Sequence, residues 1–210
     1  MNTVKLNLTP NAEEAELLKQ LHTRLAAEAD KAQLTDISYR VIDSPIGKLL
    51  LARTEAGLVR VAFESEGYER ILQMLSEKIG PRILSVPAKL DEAARQLDEY
   101  FAGRRREFQL PLDLRLSTDF RRTVQMELGR IGYGETLSYA QVAEQIGKPK
   151  AVRAVGSACA TNPLPIVLPC HRVLRTDGSL GGYLGGLQTK VQLLELENPQ
   201  LQSAESETLF

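Results

Sequence analysis

Three prolines within seven residues constrain this chain more than any other feature of its sequence. Pro163, Pro165 and Pro169 fence the apolar run Leu164-Pro165-Ile166-Val167-Leu168, which delivers Cys170 and its neighbour His171. Proline fixes φ and removes a backbone donor, so the segment is expected to be extended and stiff. A stiff apolar approach suits a thiol that is held still and kept partly dry. A buried free cysteine is more often a small core residue, so the flanking sequence has to decide between the two.

The chain has 210 residues, 43% of them hydrophobic, enough for one or two domains with real cores. No uncharged apolar run of about 18 residues exists, and Met1 to Thr9 lacks the layout of a signal peptide. Cys159 and Cys170 without a secretion signal point to reduced thiols and a cytoplasmic protein. Two cysteines and two histidines without paired ligand spacing argue against a structural metal, and no cofactor motif is present. Residues 1–100 hold 13 basic against 16 acidic side chains, and residues 101–199 hold 13 against 9. A basic second half is a weak pointer to a polyanion partner.

In the first half, Thr9-Pro10 opens a helix with Leu18, Leu21 and Leu25 in one stripe, ending near Gln33. From Asp36, three strands (37–42, 48–53 and 58–64) form an antiparallel meander, followed by helices near 68–79 and 89–101. Residues 105–114 are expected to add a strand. No nucleophile or ligand cluster occurs here, so this half reads as scaffold. His22 reads as solvated, and so does the run Arg104-Arg105-Arg106.

In the second half, a helix begins at Ser117 and carries Phe120, Val124, Leu128 and Ile131. Ser138 caps a short helix that Gly147 ends, and a second helix follows over 151–160, giving a helix-turn-helix. That second helix holds Ala151, Ala154, Gly156, Ser157 and Ala158 with one long cation, Arg153. A helix that reads base edges needs several polar side chains, whereas a smooth one suits a narrow groove and one inserted residue. Tight helix packing with a solvated Arg153 explains the same residues equally well. Four glycines around Tyr183 allow close backbone approach to a flat ligand. A last helix spans 187–197.

Pro169-Cys170-His171-Arg172-Val173, preceded by Arg153-Ala154-Val155-Gly156 and Asn162-Pro163, resembles the O6-alkylguanine-DNA alkyltransferases. Gly182 to Gly186 and Lys190 to Glu197 extend the likeness, which covers about 36–197. It implies an α+β fold, with a small N-terminal antiparallel sheet and helices on a ribonuclease-H-like scaffold. A mostly helical C-terminal domain with a winged-type helix-turn-helix would follow. The expected units are a leader 1–35, a scaffold 36–114, a DNA-binding and transfer domain 115–199, and a polar tail 200–210. The implied activity is irreversible transfer of an alkyl group from O6-alkylguanine, and from O4-alkylthymine, to Cys170. The implied partner is double-stranded DNA met through the minor groove by a monomer.

The resemblance also implies roles for particular residues. His171 would activate Cys170 through a water, Glu197 would orient the imidazole, and Asn162 would brace the turn. Tyr139 would crowd a phosphate and protonate the leaving guanine. Arg153 would fill the vacated stack, with Ala151, Val152, Gly156 and Ser157 along the groove. Carbonyls of Cys170 and Val173 would read the base, with Tyr183, Leu184, Gly185 and Lys190 around it.

Three positions depart from the family pattern: Gln125, where tryptophan is frequent, Val152, where alanine is common, and Leu184, where a small residue is usual. Val152 is expected to widen the gap to the groove, and Leu184 to narrow the alkyl pocket. Cys159 is expected to pack on the recognition helix. A helix-turn-helix regulator without chemistry leaves the cysteine turn idle. A cysteine hydrolase makes adjacent Cys and His awkward.

Overall fold

A computed structural model describes residues 11–32 and 34–198. Thr9, Pro10, Gln33 and the tail 200–210 lie outside the described residues. The leader helix α1, Ala12–Lys31, is capped at Asn11, whose Oδ1 accepts from Glu14 N at 2.9 Å while Glu14 Oε2 accepts from Asn11 N. The leucine stripe does not face the body: Leu18, Leu21 and Leu25 are each about half exposed. The buried side carries Ala26, and His22 is solvent-exposed as expected, though its Nε2 also donates to Ser85 O at 2.9 Å.

The expected meander forms as β1 (Ile37–Ile42), β2 (Leu49–Thr54) and β3 (Gly57–Phe63), with antiparallel pairing throughout. The sheet is nevertheless mixed. A fourth strand, β4 (Ile83–Ser85), runs parallel to β1, giving the order β3-β2-β1-β4. Residues 105–114 supply no such strand. Their backbone meets β3 at a single bridge, where Leu58 N donates to Pro111 O and Asp113 N to Leu58 O, both 2.8 Å. Gly57 permits that approach, since a Cβ there would lie 2.2 Å from Pro111 O.

Alternation along β2 sorts the core into two layers. Leu50 and Ala52 pack with Ile71 and Leu75 of α2 (Tyr68–Lys78). Leu49 and Leu51 pack with Leu97 and Tyr100 of α3 (Asp91–Phe101), and also with Leu164, Ile166, Leu168 and Leu193 of the second half. With both faces covered, β2 and β3 are buried along nearly their whole length.

In the second half, α4 spans Asp119–Leu128 with Thr118 in the N-cap position. Ser117 does not cap it, because the Ser117 hydroxyl accepts from Gln125 Nε2 at 2.8 Å inside the core. That bond satisfies the Nε2 of a fully buried Gln125, whose Oε1 has no hydrogen-bond partner among the described residues. A two-residue strand β5 (Leu137–Ser138) leads into α5 (Tyr139–Gln145), closed by a capping box between Ser138 and Gln141. Gly147, at φ 69°, ends it, with Lys148 N donating to Ala143 O at 2.8 Å. A 3-10 turn Pro149–Ala151 then feeds α6 (Val152–Ala160), completing the helix-turn-helix. Ala151 therefore sits in the turn rather than on the helix. The last described elements are β6 (Val173–Leu174) and α7 (Leu187–Glu197). The wing is reduced to β5 and β6, paired in parallel.

Candidate active site

The proline-fenced segment is a compact turn, not an extended strand. Leu168 N donates back to Leu164 O at 2.8 Å, and Ile166 adopts φ 74°. A left-handed β-branched residue costs about 1–3 kcal/mol, and full burial of its side chain returns about as much. Polar contacts hold the turn in this conformation. Asn162 supplies them: its Nδ2 donates to Leu168 O at 2.8 Å and to Cys170 Sγ at 3.2 Å, and its Oδ1 accepts from Leu164 N. Val61 N donates to Pro163 O at 2.9 Å, tying the turn to the edge of the sheet.

Residues 170–172 form a single 3-10 turn that runs directly into β6. Pairing of Leu137 with Val173 and Ser138 with Leu174 brings the start of α5, and so Tyr139, to the thiol. Cys170 is 3% exposed and shares an apolar cluster with Val155, Ala158 and Cys159, roofed by Tyr139 and Tyr183. Burial pushes its thiol up to about 11, against the pull of the Asn162 hydrogen bond and the Lys190 charge. The resting group is the thiol, so a base has to form the nucleophile.

His171 is fully buried, and burial lowers its titration although Glu197 opposes the shift. A carboxylate only accepts, so His171 Nε2 donates to Glu197 Oε1 at 2.8 Å. That fixes the lone pair on Nδ1, which has no hydrogen-bond partner among the described residues. Burial alone would raise the Glu197 carboxyl; hydrogen bonds from His171, Arg172 and Tyr100 outweigh it and hold it at about 2. Two of those donors, Arg172 and Tyr100, and a further one, Gly134 N, were not among the expected site residues. Arg172 grips both carboxylate oxygens at 2.8 Å, Tyr100 Oη donates to Oε1 at 2.6 Å, and Gly134 N to Oε2 at 3.2 Å. Arg172 was legible from its place in the motif, whereas Tyr100 lies 97 residues from Glu197 and gave no signal.

Other expected residues fall in mixed places. Tyr139 is half-buried, and burial with the two nearby thiols pushes its phenol up to about 12, so it keeps its proton. Its ring lies on Gly181, where a Cβ would come within 2.2 Å of the hydroxyl. Gly185 is likewise pressed on the Phe63 ring. Tyr183 stands edge-on to Phe63 and to His171, its hydroxyl buried. Lys190 is fully buried, and its Nζ donates to Val173 O at 2.6 Å, the carbonyl expected to read a base. The Cys170 carbonyl accepts from Val173 N. Leu184 packs against the cluster that holds Phe63, Leu164 and Leu193, and is not among the side chains packed on the thiol's cluster. Val152 is half-buried and packs against the C-terminal core cluster. Arg153, Ala154 and Ser157 form the exposed face of α6, with Gly156 beside them, and Val155, Ala158 and Cys159 face inward. The arginine run is not merely solvated: Arg105 pairs with Glu99 at 2.8 Å and Arg106 lies over the Tyr133 ring.

Among the described residues no group of three or more His, Cys, Asp or Glu side chains is placed to hold a metal. No described helix is long and apolar enough to cross a membrane. Residues 37–114 match the model of the 6-O-methylguanine DNA methyltransferase ribonuclease-like domain, and residues 119–199 that of its DNA binding domain. A methylated-DNA–protein-cysteine methyltransferase of Mycolicibacterium paratuberculosis is 45% identical over 174 residues, 83% of this chain and 99% of the relative. A constitutive one from Bacillus subtilis is 40% identical, covering 76% and 94%. The crystal structure of Mycobacterium tuberculosis O6-methylguanine methyltransferase has a TM-score of 0.69 at 44% identity, covering 78% of this chain and 93% of that one. The Mycobacterium tuberculosis OGT in complex with DNA gives 0.68 at 42% identity, covering 78% and 94%. Relatives matched nearly end to end, and two domain models that adjoin, leave one conclusion: the chain belongs to the methylated-DNA–protein-cysteine methyltransferase family.

Proposed function

We propose that this chain repairs alkylated DNA by moving the alkyl group from O6 of a flipped guanine, or O4 of thymine, to Cys170. The observation that carries the reading is a buried thiol beside a neutral imidazole whose far nitrogen is tied to Glu197. Nδ1 of His171 takes the thiol proton, through a water. Sγ then attacks the alkyl carbon in line, an S–C bond forms, and the C–O6 bond breaks. The bonding pair passes to the guanine ring, which takes a proton from Tyr139. That phenol is refilled at the expense of the imidazolium, so the net proton moves from thiol to base. A thioether offers no good leaving group, so each chain turns over once.

The duplex is met through the minor groove by the outer face of α6, and Arg153 replaces the extruded base in the stack. The base enters where the Leu180–Gly186 loop meets Tyr139. The protein acts as a monomer, and its two free cysteines suit a reducing cytoplasm. Intact mass after incubation with O6-methylguanine duplex tests the reading. One added CH2 per chain is expected, absent in Cys170→Ala. A second addition, or none, overturns it.

A raised thiol titration has a consequence without DNA. At pH 7 a group titrating at about 11 is ionised to roughly one part in ten thousand. Iodoacetamide should therefore label Cys170 very slowly at neutral pH, about tenfold faster per added pH unit. A rate flat from pH 7 to 9, read by mass spectrometry, would contradict this.

A further inference from the structure

Glu197 receives donors from several elements, and among the described residues one of its hydrogen-bond partners comes from the N-terminal half. Tyr100 of α3 is fully buried, and its hydroxyl donates at 2.6 Å to Oε1, the oxygen that also accepts from His171 Nε2. Its ring is wedged between Phe101 and Phe108, each with centroids 5.4 Å away, and Tyr133 at 6.1 Å. The aromatic packing holds the ring with its hydroxyl at the carboxylate. We infer that Tyr100 is a positioning residue for alkyl transfer, setting through Glu197 how strongly His171 binds a proton.

The inference rests on the Cys170 reading and deepens it. A carboxylate oxygen that accepts a second strong hydrogen bond has less charge to offer the first donor. Tyr100 thus withholds part of the Glu197 charge from the imidazolium and keeps His171 a weaker base. Burial and the adjacent carboxylate hold the phenol neutral far above working pH, so it donates throughout. The other polar groups around this pair are Arg172 from the catalytic turn, Tyr133 and Gly134 after α4, Tyr183 from the loop, and Lys190 from α7. All of these come from the second half. The first half, which carries no chemistry of its own in sequence, therefore adjusts the base.

Tyr100→Phe keeps the ring and removes the donor. In the full chain on methylated duplex, the acid-side inflection of the single-turnover rate should move up by about half a pH unit or more. Below the inflection the rate should fall roughly threefold, and well above it the rate should come within about twofold of the parent. DNA affinity should be unchanged. Site-specific 3-fluorotyrosine at position 100 keeps the shape, donates more strongly, and should move the inflection down. A merely structural role would lower the rate equally at every pH. Inflections unmoved by either substitution would overturn the inference while parent transfer stands. Absence of transfer in the parent would instead remove the Cys170 reading itself.

Discussion

Glu197→Gln is expected to slow alkyl transfer about a hundredfold and to lower the melting temperature by about 10 °C. Five N–H and O–H donors converge on the carboxylate: His171 Nε2, Tyr100 Oη, two from Arg172 and Gly134 N. A carboxylate accepts all of them. An amide presents one oxygen and one NH2, so at least one buried donor must face another donor. If the amide oxygen turns to His171, the NH2 meets Arg172, which is 5% exposed and then lacks a counter-charge. Removing one member of a buried ion pair costs about 3–5 kcal/mol. If the oxygen turns to Arg172, His171 loses the acceptor that keeps its lone pair on Nδ1, and the base points its proton the wrong way.

Acid should expose the same group. The carboxyl is held at about 2, below its ordinary 4.5, so folding favours the ionised form. Its contribution is complete above about 4.5 and is lost as pH falls towards 2, a swing of roughly 3 kcal/mol. Burial lowers the His171 titration, which acts in the same direction, since the folded state resists charging it below the ordinary 6.5. Chemical denaturation between pH 7 and 3 should show the parent losing stability in acid. Glu197→Gln should lack the component below pH 4.5. Equal acid sensitivity in both proteins, or full-rate transfer by the variant, would contradict the account.

How much of this was legible in the sequence depended on how local each cause was. Ser138, Gly147 and the small residues of 151–160 act within a few residues, and the helix-turn-helix followed from them. The closing helix at 187–197 was read at its observed bounds for the same reason. The fourth strand was not readable. Ile83–Ser85 is three residues long, and what makes it a strand is a parallel partner more than forty residues upstream. The prolines were misread because their effect on φ says nothing of the turn that Asn162 and Val61 close around Ile166. The cysteine, histidine and glutamate were found through a motif. Tyr100 had no motif, because its place depends on how α3 packs against α7.

Arg153→Ala is expected to cut single-turnover transfer on a methylated duplex by about a hundredfold, with little change on free O6-benzylguanine. Arg153 is exposed on α6, and no hydrogen bond or ion pair engages it among the described residues. Around it, Ala154, Gly156 and Ser157 present almost nothing that could hold a base edge or displace one. If a base leaves the stack at a cost of a few kcal/mol, this side chain is the group on that face able to occupy the gap. A phosphate contact would behave differently. It would weaken binding on every sequence, reduce the salt slope by about one, and be overcome by raising the DNA concentration. A wedge keeps its effect at saturating DNA, because the lost step follows binding. Arg153→Lys separates the two further, since lysine retains the charge without the planar group that stacks. Lysine restoring the full rate would assign Arg153 to the phosphates. Equal losses on duplex and free base would place its effect in the Cys170 pocket and remove it from base extrusion altogether.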